Sequence, residues 1–411
     1  MTGATAATCS LASLAFAAWW RGGFVPGLDV GAALACATVA RVTGSQATPH
    51  RATGGAGRQL TLLLALATIW CLLPLLPLPA GVRSWLAPGA TALDTELGRP
   101  AELGPLTPDP AASRSALLAL TLGGALVAAA RAIALAPEQR RRLLQAIVVV
   151  AAAVAAVGVV EVFLGRPLLR TELPPHARPF GPFANRNHAG LLLVLALPLA
   201  AAVTPRTALR PATITLLLLG LLLNGSRGAL LAAVGIGLFA LATGRGATRL
   251  RWLGGAALLA LLVLPSHAWQ RRGDAATVDE RLALAGDALR MAADAPLTGI
   301  GLGAFCTAYP PYQTVARDLR FRHAECEPLE LLVEGGVPLL LLALLAGAVL
   351  VRTAWRVARH PAASGTGRAL ATSALALPLH ACVDFPLRVP GVALPFALIV
   401  GALLAAAEER R

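Results

Sequence analysis

Residues Ile147–Leu164 read IVVVAAAVAAVGVVEVFL, an apolar run broken by a single charge, Glu161. A bilayer core about 30 Å thick is crossed by about 20 apolar residues in a helix. Four further runs, Leu60–Leu78, Ala212–Leu223, Leu253–Leu264 and Leu339–Val351, are nearly free of charge. Across all 411 residues 56% are hydrophobic and only 14% charged, against about a quarter charged in a soluble domain. The chain therefore reads as an integral membrane protein. Backbone polar groups in lipid must be satisfied within the segment, so the spans are helices. We expect an all-α membrane protein, one polytopic domain over 1–411, with about twelve spans. They fall near 5–20, 25–40, 60–79, 115–135, 143–164, 187–203, 209–223, 227–243, 250–265, 329–351, 369–384 and 390–407. The start lacks a charged n-region before a short apolar stretch, so the first span is expected to remain as an anchor.

All 35 basic residues are Arg, and the net charge is +14. Such a bias fits a GC-rich coding sequence. It does not require nucleic acid, because membrane proteins retain positive residues on the cytoplasmic side. With the N-terminus inside, the inner loops and tail carry 18 arginines and the short outer loops 10. Both termini are then cytoplasmic. The long connection 266–328 lies on the periplasmic side. Within it Val278–Asp294 has helical spacing, with Leu282, Gly286 and Leu289 on one face, and Asp294-Ala-Pro296 as the stop. The glycines of GIGLGAF (Gly299–Phe305) follow no strand, which argues against a nucleotide loop. Cys306 and Cys326 share this connection, and an oxidising compartment would permit a disulfide between them.

Polar groups gather where outer-face spans begin. Asn185-Arg186-Asn187-His188 precedes one, Asn224-Gly225-Ser226-Arg227-Gly228 a second, and RFRHAECEPLELLVEGG (Arg320–Gly336) a third. Ser226 suits an N-cap. Arg227 would then stand in a first turn, where the helix end attracts anions and an Arg is unfavourable unless an anion is present. The bland alternative for Arg227 and Arg186 is snorkelling at an interface. For Arg281, on the loop helix, it is a solvated surface charge. Glu327, Glu330 and Glu334 follow His323 at four, seven and eleven residues. A carboxylate from that series would orient the imidazole, although an ordinary exposed histidine is the competing reading. Glu334 falls inside a span, where ionisable groups are costly and usually functional. His380 and Asp384 form an i, i+4 pair at the outer end of span eleven, either a structural pair or part of the same cavity. No histidine pair has metal-ligand spacing. Arginines and helix starts suit a membrane-bound pyrophosphate, and a histidine suits a hydroxyl proton.

The segments FGPFANRNHAG (Phe180–Gly190), GSRGALLA (Gly225–Ala232), ERLALAGDALRMAADAPLTGIGLGAF (Glu280–Phe305) with YPPYQ (Tyr309–Gln313), HAECEPLELLVEGG (His323–Gly336) and HACVDFPLRVPGVALPFAL (His380–Leu398) resemble, in this order, the O-antigen ligase and polymerase superfamily. The resemblance implies a GT-C-like, metal-independent, inverting glycosyltransferase of the bacterial inner membrane. Its donor would be a glycan on undecaprenyl pyrophosphate. Its acceptor would be a glycan, lipid A-core or protein hydroxyl, as in lipopolysaccharide assembly, and no cofactor is implied. By the same resemblance Arg227 and Arg281 hold the pyrophosphate and His323 is the base. Arg186, His188, Glu325, Glu327, Glu334, His380 and Asp384 are the remaining candidate substrate contacts. One departure concerns the base: many members carry His-Asn where this chain has Glu325-Cys326. A twelve-span secondary transporter and a non-catalytic assembly subunit remain as alternatives. A transporter would place its polar groups near the midplane on repeated broken helices, and no repeat is visible.

Overall fold

The computed structural model describes residues 55–86, 102–169, 178–244, 274–315 and 320–409, with 88, 91, 95 and 98 between, and the side chains of 274–278 apart. The expected spans near 5–20, 25–40 and 250–265 lie outside these residues. The described residues are mostly helical, with almost no strand. We number the helices α1 (Gly55–Leu72), α2 (Ala80–Leu86), α3 (Pro110–Ala134), α4 (Pro137–Leu164), α5 (Arg186–Val203), α6 (Leu209–Asn224) and α7 (Arg227–Thr243). There follow α8 (Asp274–Asp294), α9 (Phe305–Ala308), α10 (Glu327–Arg359), α11 (Gly365–Ser373), α12 (Ala376–Ala381) and α13 (Pro390–Glu408). One short antiparallel pair, Leu78–Pro79 with Leu103–Gly104, closes the loop between α1 and α3.

Six helices among the described residues are long and apolar enough to cross a membrane: α1 with its 3-10 extension to Leu75, α3, α4, α5, α10 and α13. The helices α6 and α7 are shorter but equally apolar. The expected span 369–384 is instead two short helices, α11 and α12, separated at Ala374–Leu375. The central pillars are α5 and α13, whose apolar windows are 72% and 78% buried, whereas α3 buries only 11% of its own. The outer helices turn large apolar side chains outward, among them Leu62, Ile69, Phe163, Leu231, Leu341 and Leu345. In water such a surface would be a liability; against acyl chains it is the ordinary state of a membrane protein.

The helices share a consistent polarity. At one end, Asp109, Asn185 and Ser226 cap α3, α5 and α7, each accepting a hydrogen bond from an early backbone N–H. Such caps satisfy donors that a helix start leaves open. Near the same end Trp70 of α1 donates to the Gly335 carbonyl at 2.8 Å, and Thr307 donates to Asp109 at 2.8 Å. The other end is held by arginines. Arg131 makes a forked pair with Glu408 at 2.7 and 2.8 Å, Arg140 meets Glu409 at 2.9 Å, and Arg352 donates to Gln59 at 2.6 Å.

The loop helix α8 ends at Asp294, as its sequence suggests, and the face that carries Leu282 and Leu289 points outward. Leu282 and Leu289 are exposed, while Leu284, Asp287, Ala288 and Met291 are buried. Asp287 decides this. Its carboxylate receives Tyr309 Oη at 2.8 Å, the Thr314 backbone N–H at 3.0 Å and Thr314 Oγ1 at 2.8 Å, so the helix rolls toward the following loop. Cys306 and Cys326 are both free thiols, so no disulfide closes this region.

Candidate active site

The site forms at the capped end, around the start of α10. Cys326 is the N-cap and Pro328 lies in the first turn, where its missing N–H costs nothing. His323 therefore stands just before the helix. Glu330 reaches back to it: His323 Nδ1 lies 2.8 Å from Glu330 Oε1, and the Ala324 N–H donates to Oε2 at 3.0 Å. The Glu330 side chain is 1% exposed and that of His323 20%. With Nδ1 held by the carboxylate, Nε2 is the ring nitrogen left for another partner. Phe385 stacks on the imidazole, with centroids 4.0 Å apart, and meets His188 edge-on at 5.1 Å.

Glu327, Glu330 and Glu334 lie on one face of α10, and that face turns to Arg388. The guanidinium donates to Glu334 at 2.6 Å and Glu327 at 3.2 Å, and stands 3.6 Å from Glu330. Burial opposes the charge on Arg388, but the three carboxylates hold its pKa well above the usual guanidinium range. Glu327 also accepts the Leu387 N–H at 3.2 Å, and Glu334 accepts the Phe305 N–H at 3.3 Å. Glu327 and Glu334, proposed from sequence as substrate contacts, are thus buried framework groups in this state. Arg388, counted in the sequence only as an outer-loop charge, is their common counter-ion. The signal was present: three carboxylates on one face of an apolar helix require a nearby cation.

Arg281 approaches from α8. It donates to Glu325 Oε2 at 2.9 Å and to the Val383 carbonyl at 3.1 Å. Glu325 holds φ at 56°, the left-handed region, alone among the described non-glycine residues. Burial raises the Glu325 carboxyl pKa, and Arg281 works against that rise. Asp384 joins the site from beyond α12. Its Oδ1 is 3.2 Å from His188 Nε2 and accepts the Phe385 N–H at 2.7 Å. The Asp384 carbonyl accepts the Glu327 N–H at 3.0 Å. Of the two readings of His380 and Asp384, a structural pair or a shared cavity, the hydrogen bond of the first is not formed. The two side chains are 4.0 Å apart, because α12 ends at Ala381 before a further turn can align them.

The arginine-bearing starts of α5 and α7 are stitched together. Asn224 donates to the Arg186 carbonyl at 2.8 Å, and Ser226 Oγ donates to Asn187 at 2.9 Å while capping α7. Asn-Gly makes the turn, with Gly225 at φ 65°. Arg227 opens α7, and the next residue, Gly228, lies against His380: a Cβ there would sit 3.1 Å from His380 Nε2. The structure thus links His188, His323, Glu325, Arg281, Asp384 and His380 through direct contacts or one shared neighbour. It places Arg186 and Arg227 on the adjoining helix starts. Sequence reading did not single out Asn187, Asn224, Phe385 or Arg388. Among the described residues no group of three or more His, Cys, Asp or Glu is placed to hold a metal ion.

Residues 212–344, about a third of the chain, match the family model described as O-antigen ligase. The matched stretch runs from α6 into the middle of α10 and contains Arg227, Arg281, His323, Glu325, Glu327 and Glu334. This supports the O-antigen ligase/polymerase superfamily, and with it glycan transfer of the ligase or polymerase type. No curated protein matches the chain.

Proposed function

We propose that this chain, as a member of the O-antigen ligase/polymerase superfamily, transfers a glycan from undecaprenyl pyrophosphate to an acceptor hydroxyl on the periplasmic face of the inner membrane. The observation that carries the reading is the His323–Glu330 contact on an imidazole that stays 20% exposed. With Nδ1–H donated to the carboxylate, the other ring nitrogen is an acceptor. That is the arrangement a general base requires.

In this mechanism the acceptor O–H gives its proton to His323 while its oxygen attacks the anomeric carbon from the face opposite the pyrophosphate. The new C–O bond forms as the bond to the pyrophosphate oxygen breaks, inverting the anomeric centre. The leaving electron pair stays on the pyrophosphate. Arg227, at the start of α7, and Arg281 neutralise it, without need of a metal. Guanidinium groups bind phosphate oxygens as a fork and remain charged throughout. Fixed donors aimed at the developing charge are usually the largest catalytic contribution. Glu330 fixes the tautomer of the base, Arg186 lines the approach, and buried His188 supports the site through Asp384 and Phe385.

Detergent-purified protein given an undecaprenyl-pyrophosphate glycan and a candidate acceptor should form the transferred product. Arg227→Ala, Arg281→Ala and His323→Ala should each lower the rate by at least about 10²-fold. A fully active His323→Ala would remove that residue from the chemistry. Substrate flux in proteoliposomes with no transfer would favour the transporter reading instead.

A further inference from the structure

Arg281 already holds an anion that belongs to the chain itself. Its guanidinium is paired with Glu325, the one non-glycine residue in the left-handed region among those described. That conformation costs free energy and tends to occur where function over-determines the backbone. The pair is also accessible, with Arg281 44% and Glu325 27% exposed. Glu325 is half-buried and burial disfavours its charge, while water still reaches Arg281, so a phosphate group arriving at Arg281 can displace the carboxylate.

The chemistry of the proposed transfer creates a problem that such a competitor solves. In the donor, both ends of the pyrophosphate are esterified, one to the lipid and one to the sugar. After transfer the sugar-side oxygen is free and carries extra negative charge. An arginine seat that stabilises the leaving group therefore grips the product more tightly than the donor. Without a counter-force, release of lipid pyrophosphate would limit turnover.

We propose that Glu325 is an internal competitor for the pyrophosphate seat on Arg281, displaced when the donor binds and returning to expel the lipid pyrophosphate product. The proposal rests on the transferase reading above. Glu325 acts through Arg281, not on the reacting atoms. No proton or bond is exchanged, only an ion-pair partner.

The test is calorimetric titration of inorganic pyrophosphate into the full-length protein in detergent, without divalent metal. Glu325→Gln should bind about 2- to 5-fold tighter than the parent chain, the range set by loss of a partly exposed ion pair. Glu325→Asn, which tolerates the left-handed backbone better, should show the same gain and so separate charge from strain. Adding Arg281→Gln to either variant should abolish it. In transfer assays Glu325→Gln should lower KM for the donor together with kcat. The proposal is overturned if both variants bind pyrophosphate no tighter than the parent chain, or if the gain survives loss of Arg281. Absence of glycan transfer by the parent chain, with the calorimetric gain intact, would instead sink the transferase reading and the release role with it, leaving only the competing anion.

Discussion

Single residues set the chemistry through their partners. Glu330 is nearly inaccessible and supplies both an acceptor for the His323 ring and one for the Ala324 N–H. Replacing it by Ala frees the imidazole to rotate and to change tautomer. Transfer activity should fall by about 10²-fold or more, while Glu330→Gln, which keeps one acceptor oxygen, should retain a larger share. Equal activity in Glu330→Ala and the parent chain would show that the contact has no catalytic consequence. Arg388 is the corresponding test of stability. It is one cation shared by three carboxylates, two of them within hydrogen-bond distance. Removing one partner of a buried ionic cluster costs about 3–5 kcal/mol, because the remaining charges stay buried without compensation. Arg388→Met should therefore unfold at markedly lower denaturant concentration. The triple variant with Glu327→Gln and Glu334→Gln should recover part of the loss, which a purely steric role for Arg388 would not permit.

At the scale of elements, the kink of α10 is what brings its glutamates into the site. Gly336 has φ 66° inside the helix, and a Cβ there would collide with the Leu297 carbonyl oxygen. The segment 296–301 is sewn onto this break: the Val337 N–H donates to the Pro296 carbonyl at 2.8 Å, the Gly301 N–H to the Glu334 carbonyl at 2.9 Å and the Ile300 N–H to the Val333 carbonyl at 3.0 Å. The glycine-rich GIGLGAF stretch is therefore a helix staple. Its close approach to Glu334 leaves no room for a side chain at Gly299. Gly336→Ala should cost at least about 1–3 kcal/mol from backbone strain alone, read as a drop in thermal stability in detergent. The loop helix offers a second test. Burial alone would raise the Asp287 carboxyl pKa, but hydrogen bonds from Thr314 and Tyr309, with the charge of Arg290, hold it below its ordinary value of 3.8. A depressed carboxylate stabilises the fold fully above the unfolded-state value, and this contribution is lost as pH falls through the folded-state value. Hydrogen-exchange protection in 305–315, corrected for the intrinsic pH dependence of exchange, should fall below about pH 4, and Asp287→Asn should show low protection already at neutral pH. This region also marks a limit of sequence reading. The spacing put Leu282 and Leu289 on one face but could not say which way that face points, because hydrogen bonds to Asp287 from distant Tyr309 and Thr314 set the direction. Helix starts were legible, since caps and prolines act locally. That Glu327, Glu330 and Glu334 need a cation was readable, but that Arg388 supplies it was not, and neither was the glycine staple, since both join residues far apart in the chain.

Across the whole molecule the two ends differ in chemistry. One holds the His323–Glu330 contact, the Arg388 cluster and the capped starts of α3, α5 and α7. The other holds the Arg131–Glu408 and Arg140–Glu409 pairs and the arginine-rich end of α10. Past the kink at Gly336, from Val337 to Arg359, the helix advances about 33 Å at 1.5 Å per residue, enough to cross the hydrocarbon core of a bilayer. The two ends of α10 therefore lie on opposite sides of any membrane that it crosses. Arginines in short loops favour the cytoplasm, so Arg352, Arg356 and Arg359 should be inside and His323 outside. The start of α7 is held to the start of α5 by Asn224 and Ser226, and α5 in turn reaches the site through His188 and Asp384. Arg227 is thereby committed to the same side as His323. A single cysteine introduced at Gln313 should react with a membrane-impermeant maleimide in cells whose outer membrane alone has been permeabilised. One introduced at His360, past the last turn of α10, should react only after the inner membrane is broken. For these assays the native cysteines are first replaced by Ala. Labelling of both positions from the same side would mean that α10 does not cross, and the arginine seat and the base would then lose their shared compartment.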